Sequence, residues 1–161
     1  MTLPPPTIDT QDRRTEPPLV PADPPGWEHF AHAADIGVRG YGRTPDAAFA
    51  QAALAMMAVI SDPRRIEARE IVTLECRAPD LELLLADWLN AVIYSMATRH
   101  LLFCAFDVQI AGHHLHATAW GEVLDMARHQ PAVEIKGATF TELRVVHQDP
   151  GRWLAQCVID V

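Results

Sequence analysis

The chain has 161 residues, of which 21 are acidic and 13 are basic, and its formal net charge at neutral pH is −8. This length predicts one domain with a sizeable core. The acidity argues against direct binding to nucleic-acid phosphates and favours a basic protein partner or cations. No apolar run is long enough to cross a bilayer, and residues 1–6 do not resemble a signal peptide. We therefore expect a cytosolic protein that contacts no membrane.

The N-terminal segment differs in composition from the rest of the chain. Residues 1–25 are rich in proline and poor in aromatic side chains. Such a segment buries too little apolar surface to offset the entropy lost on ordering. We predict a disordered extension over residues 1–25, followed by a single compact domain over residues 26–161.

Two helices are predicted from capping residues and apolar spacing. Thr44 suits the N-cap of the first, Pro45 suits its first turn, and apolar residues recur at helical spacing as far as Ile60. The second helix opens at Asp80 and continues to about Met96. Its wide apolar stripe is typical of a helix that faces a core.

The remaining segments are predicted to be strands, separated by turn signals. Gly112 opens one hairpin turn, and Asp149-Pro150-Gly151 has the composition of another. The predicted strands cover residues 35–41, 70–76, 103–110, 114–123, 132–138, 139–147 and 152–161. Two main helices among hairpin-linked strands indicate an α+β fold with antiparallel sheets.

Several residues could carry chemistry, but none forms a complete catalytic set. His114 and His116 share one strand face and could begin a metal site, although a solvated face is the favoured interpretation. Asp125 and His129 could form an acid–base pair, although their spacing favours a polar loop. No Ser or Cys has a base at the spacing of a catalytic nucleophile. Widely separated positions in apolar stretches predict buried free thiols for the cysteines, which are Cys76, Cys104 and Cys157.

The last residues place two carboxyl groups side by side. Asp160 is followed by Val161, whose α-carboxyl adds a second acid, and Asp35 stands far upstream. If these groups meet, they offer oxygen ligands suited to Ca²⁺ or Mg²⁺. The alternative is a surface acid on a frayed end, which these residues alone favour.

Six blocks follow one another in order through residues 26–161. They are HAADIG from His32, TPDAAF from Thr44, LLLADWLN from Leu83, WGEVLDMARH from Trp120, EIKGATF from Glu134 and WLAQCVIDV from Trp153. In this order the chain resembles the archease family, small activator proteins of RNA-splicing ligases of the RtcB type. The sequence departs from the family pattern at Ala31, where an acid is frequent, at Ala33, where Thr is frequent, and at Thr141, where His is frequent.

The resemblance implies a metal site at Asp35, Asp160 and Val161, the last through its carboxyl or carbonyl oxygen. It favours Ca²⁺, with Mg²⁺ or Mn²⁺ as alternatives. With Ala31 in place of an acid, the site would have one charge fewer.

The resemblance also implies a function without catalysis by this chain. The ligase partner uses GTP and Mn²⁺, guanylylates its own histidine and joins RNA ends in tRNA splicing or RNA repair. The activator promotes that guanylylation and repeated turnover, and it meets RNA only through the ligase. Lys136 would contact nucleotide or ligase, or would be a plain surface lysine. The rival hypotheses are a general chaperone or assembly factor, and a metal-dependent hydrolase using Asp125 and His129 or the His114–His116 pair.

Overall fold

In the computed structural model, which describes residues 16–18 and 26–161, the chain forms two antiparallel sheets and three α-helices. In chain order the elements are β1 (Trp27–His32), β2 (Asp35–Gly42), α1 (Pro45–Ile60), β3 (Glu70–Arg77), α2 (Leu81–Arg99), β4 (Leu101–Ala111), β5 (His114–Val123), α3 (Met126–His129), β6 (Gly137–Ala138), β7 (Arg144–Asp149) and β8 (Arg152–Asp160). The predicted α+β class with antiparallel sheets and two main helices is confirmed.

The last strand lies in the interior of the larger sheet. That sheet runs β1–β2–β8, and β6 and β7 both pair with the other side of β8. The smaller sheet has the order β3–β5–β4, so β4 is one of its edges. All of these pairings are antiparallel.

Local capping explains where the two long helices begin and end. The Thr44 side chain accepts a hydrogen bond from the Ala47 amide at 3.2 Å, and Asp80 accepts one from the Leu83 amide at 2.8 Å. These contacts satisfy amides that lack partners within the first helical turn. α1 ends at Ile60 as predicted. α2 continues to Arg99, beyond the predicted end, and stops where His100 takes a left-handed conformation at φ 54°.

The core lies where the two long helices meet the sheets. α1 packs against β2 so closely that a Cβ atom on Gly40 would lie 2.2 Å from the Ala48 carbonyl oxygen and from the Ala52 nitrogen. The buried Trp88 indole donates a hydrogen bond to the Phe49 carbonyl at 3.0 Å. Large apolar side chains from both helices and both sheets therefore pack into one cluster.

Three strand predictions differ from the structure. β1 was not predicted, because its exposed Glu28 and His29 interrupt the alternation expected of a half-buried strand. The predicted strand over residues 132–138 is reduced to β6, because the Ala132 amide bonds the carbonyl at the end of α1, 2.8 Å away. The strand predicted over residues 139–147 begins only at Arg144, after a turn in which Glu142 has φ 54°.

Most of the proline-rich extension falls outside the described residues. Only Glu16, Pro17 and Pro18 are described, so the prediction of disorder over residues 1–25 stays a prediction there. No helix in the described ranges is long and apolar enough to cross a membrane.

Candidate functional site

Strand register brings two of the predicted site residues together. The β2–β8 register ends with Ile36 opposite Ile159, and Asp35 and Asp160 are the next residues of the two strands beyond that pair. Side chains that are directly opposite in an antiparallel pair point to the same face, with Cβ atoms about 5 Å apart. His32 lies opposite Asp35 on the other side of β2. Two acids that are 125 positions apart in sequence thus share one end of one sheet face.

The end of β8 is firmly placed. Gly137 of β6 pairs with Asp160, and the Lys136 amide donates a hydrogen bond to the Asp160 carbonyl at 2.9 Å. The Val161 side chain packs against the core. The alternative of a frayed end does not hold, because the strand that carries these residues is paired on both sides.

Neither carboxylate forms an ion pair with the described residues. Asp35 and Asp160 are both half-buried. Like charges directly opposite each other on neighbouring strands destabilise a sheet. A divalent cation would offset this repulsion, and oxygen ligands are the type that Ca²⁺ and Mg²⁺ prefer.

The donor set remains small. In residues 16–18 and 26–161, no group of three or more His, Cys, Asp or Glu side chains is arranged to hold a metal ion. Asp35 and Asp160 supply two side-chain ligands, and the backbone oxygens of Val161 follow directly. These residues fit a hard cation whose remaining ligands come from water or from a partner.

Arg39 lies four positions beyond Asp35 on the same strand, and its guanidinium is bonded to other residues. Its guanidinium donates to the buried Gln156 side chain at 2.7 Å and to Glu28 at 3.2 Å. It also lies 4.2 Å over the centre of the Phe30 ring. These contacts hold the guanidinium along the sheet, away from the acidic end.

Asn90 positions β6 against β8. Its side-chain amide donates to the Ala138 carbonyl at 3.2 Å and accepts from the Ala138 amide at 3.0 Å. Sequence reasoning noted no role for this residue. The sequence did contain a hint of this role. The single asparagine of the chain lies in the middle of the predicted second helix, where asparagine is unfavourable unless its side chain has a hydrogen-bond partner.

A second polar cluster lies at the end of β5, where Glu122 and His129 are both about 2 % exposed. The Asp125 amide donates to His129 Nδ1 at 2.8 Å, so the ring proton sits on Nε2 and is donated to Glu122 at 2.6 Å. The Arg128 guanidinium also bonds Glu122. Burial raises the pKa of Glu122, but the bonds from Arg128 and His129 outweigh burial and lower it overall.

This cluster is not the acid–base pair that the spacing of Asp125 and His129 allowed. The Asp125 carboxylate accepts from the Ala127 and Arg128 amides at 3.1 Å and caps α3. His129 is enclosed, and both of its ring nitrogens are engaged. The geometry gives these residues a structural role.

The other candidate groups do not converge on a reaction centre. The His116 side chain is 45 % exposed and lies 3.8 Å from Glu75 on the outer face of the smaller sheet, which agrees with a solvated strand face. The cysteines are free. Burial raises the pKa of Cys76 to about 11 and that of Cys157 to about 12, so these two thiols stay protonated at neutral pH.

Comparison with known proteins agrees with this fold over nearly all of the described chain. The model of the Archease protein family (MTH1598/TM1083) matches residues 27–161. Protein archease of Thermococcus gammatolerans is 41 % identical over 139 residues, covering 84 % of this chain and 98 % of the relative. Protein archease of Pyrococcus abyssi is 37 % identical with the same coverage.

Two solved structures share the architecture. The solution structure of Methanobacterium thermoautotrophicum protein 1598 has a TM-score of 0.74 and 32 % identity, covering 84 % of this chain and 99 % of the other. The crystal structure of an archease from Thermotoga maritima (TM1083), described as a possible chaperone, has a TM-score of 0.55 and 17 % identity, covering 83 % and 96 %. The second likeness concerns the fold alone. On the family match and the identity to its relatives, this chain belongs to the archease family.

Proposed function

We propose that this chain is a non-catalytic activator of an RNA-splicing ligase of the RtcB type. It promotes guanylylation of the ligase and repeated turnover in tRNA splicing or RNA repair, and it acts through the site at Asp35, Asp160 and Val161. The observation that carries the proposal is that two half-buried acids lie next to the last register pair of β2 and β8, and that neither forms an ion pair with the described residues.

The chemistry of the site suits a role at the surface of another protein. A bound divalent cation, Ca²⁺ or otherwise Mg²⁺ or Mn²⁺, would supply positive charge that attracts phosphate or carboxylate oxygens of the partner. Asp35 begins β2 and Asp160 ends β8, so both acids lie at the same end of the larger sheet. The paired β8 keeps their spacing constant, which preorganises the site before the partner arrives.

Groups beside the acids support docking to a partner. Lys136 is the only lysine in the chain, is exposed, and is joined through its backbone to Asp160. We assign its ammonium group to contact with nucleotide or ligase. Phe140, in the segment that follows β6, is 71 % exposed. An exposed aromatic ring of this kind can serve as an interface anchor.

The overall charge fits a basic, RNA-handling partner. The chain carries −8, so its surface attracts a positively charged protein and repels RNA itself. RNA is therefore reached only through the ligase. Cytoplasmic localisation follows from that partner as part of the same proposal.

The test is ligation with a cognate ligase at a concentration far below that of the RNA. We expect this chain to increase the number of turnovers and the fraction of guanylylated ligase. Asp160→Asn should abolish most of the gain, and Lys136→Met should reduce it. Asp87→Asn, which removes the same charge from the exposed side of α2, is the matched control and should behave as wild type.

The outcomes separate the function from the site. No gain with the wild-type chain would rule out the activator role. A full gain with Asp160→Asn would rule out only the site assignment. A general chaperone would instead protect unrelated proteins from aggregation, with Asp35→Ala as effective as wild type.

A further inference from the structure

A groove of about 1230 Å³ runs between α1 and the edge strand β4, away from the acidic site. Its α1 wall is a stripe of small and apolar side chains with one amide at helical spacing, namely Ala47, Ala50, Gln51, Leu54 and Ala58. None of these five side chains is fully buried, although the rest of α1 packs into the core. A helix that is apolar on nearly every side requires cover on its last face.

The opposite wall is formed by β4. Among the described residues, β4 pairs only with β5, so its other edge has no partner strand. Asp46 of α1 accepts a hydrogen bond from the Ile110 amide of this edge at 2.9 Å. An unpaired edge is prone to pair with other chains, and proteins commonly cover it with a loop or with proline.

Two residues of the N-terminal extension lie at this groove. Pro17 and Pro18 are part of its lining, beside Trp27 at the start of β1. Proline carries no amide hydrogen, so these residues cannot donate a ladder hydrogen bond to the edge of β4. Proline-rich segments also bind preferentially to grooves lined by aromatic side chains, because little conformational entropy is lost.

Gln51 supplies a polar group without a partner in this groove. The Oε1 atom of Gln51 is buried and has no hydrogen bond with the described part of the chain. The two ends of such an amide are interchangeable by rotation, so the buried position can hold the NH₂ group. That group would donate to the carbonyls that a proline-rich segment leaves unpaired.

We propose that the groove between α1 and β4 is a binding site for a proline-rich segment, and that its occupant is the chain's own N-terminal extension, seated through Pro17 and Pro18. The archease family match begins at residue 27, so Pro17 and Pro18 lie outside the matched region, whereas the groove lies within it. It is independent of the acidic site. Its effect is to cover the apolar face of α1 and the free edge of β4.

The experiment measures quenching of Trp27 fluorescence by acrylamide in the full chain. Trp88 and Trp120 are buried, and Trp153→Phe removes the other half-buried indole, so the change reports Trp27. In that background, Pro17→Ser with Pro18→Ser should increase the quenching constant. The matched control, Pro4→Ser with Pro5→Ser, makes the same change elsewhere in the extension and should leave it unaltered.

A peptide of residues 10–22 provides the second arm. Added to the Pro17→Ser, Pro18→Ser chain, it should restore protection of Trp27 in a saturable manner, and a peptide with both prolines replaced should not. Equal quenching in all the chains, or no response to the peptide, would overturn the proposal. Protection that depends on protein concentration would overturn the assignment to the chain's own extension.

Discussion

At the scale of single residues, Glu122 is a buried carboxylate that is bonded by groups from three other residues. It receives His129 and Arg128 from the α3 region and also the Glu67 amide at 3.1 Å. A buried charge of this kind is tolerated because its oxygens are satisfied, and removing one partner leaves the others unpaired. The cluster ties the loop after α1 to the end of β5.

Glu122→Gln should therefore lower the free energy of unfolding by about 3 kcal/mol. The measurement is urea unfolding at neutral pH. Glu67→Gln is the control, because the Glu67 side chain is 55 % exposed and its ion pairs lie in solvent, so its loss should cost less than about 1 kcal/mol. Equal effects of the two variants would contradict the assigned role.

The same cluster makes stability depend on pH. The pKa of Glu122 is lowered in the folded chain, so its stabilising contribution is present above the ordinary carboxyl value of 4.5 and is lost as the pH falls through the lower folded value. The stability difference between wild type and Glu122→Gln should shrink in that acidic range. A difference independent of pH would mean that Glu122 acts only through packing.

Sequence reasoning identified the acids at Asp35 and Asp160 but could not determine the strand register that brings them to one end of the sheet. Register between β2 and β8 depends on contacts that are remote in sequence. The Glu122–His129 pair was missed for a related reason. It joins the end of a strand to a four-residue helix, and no periodic pattern spans that junction.

At the scale of elements, the close approach of α1 to β2 depends on a glycine. A Cβ atom at Gly40 would overlap the helix backbone, which cannot move as the tip of a side chain can. Gly40→Ala should lower the free energy of unfolding by about 2 to 3 kcal/mol through overpacking.

The control for that prediction is Gly137→Ala in the same sheet. Its Cβ would meet only Asn90 Oδ1 at 3.6 Å, an ordinary contact, so the change should stay within about 0.5 kcal/mol. Thermal unfolding of both variants is the measurement. A neutral Gly40→Ala would show that α1 does not pack as closely as described.

At this scale, the sequence predicted best those elements whose ends are marked by neighbouring residues. α1 and α2 have capping side chains at Thr44 and Asp80 and long apolar stripes, so their starts follow from a few neighbouring residues. β6 has no such signal. Its two residues are extended because Asn90 and the end of β8 bond to them, and both partners are remote in sequence.

At the scale of the whole molecule, the acidic end of the larger sheet and the groove between α1 and β4 share no residue. We propose the acidic end of the larger sheet as the surface for the ligase, and the groove beside β4 as the site of the N-terminal extension. The chain has a net charge of −8. Its single lysine, Lys136, is joined through its backbone to Asp160 at the acidic end. The acidic composition predicted a basic protein partner or cations. That the two acids lie at the same sheet end could be seen only in the folded chain.

The most direct test of the central claim is calorimetric titration of Ca²⁺ into the wild-type chain, into Asp160→Asn and into Asp35→Asn. We predict saturable binding to the wild type, with affinity lowered at least about tenfold in each variant, because each change removes a charged oxygen ligand. Undiminished affinity in both variants would contradict a cation site at the end of β8.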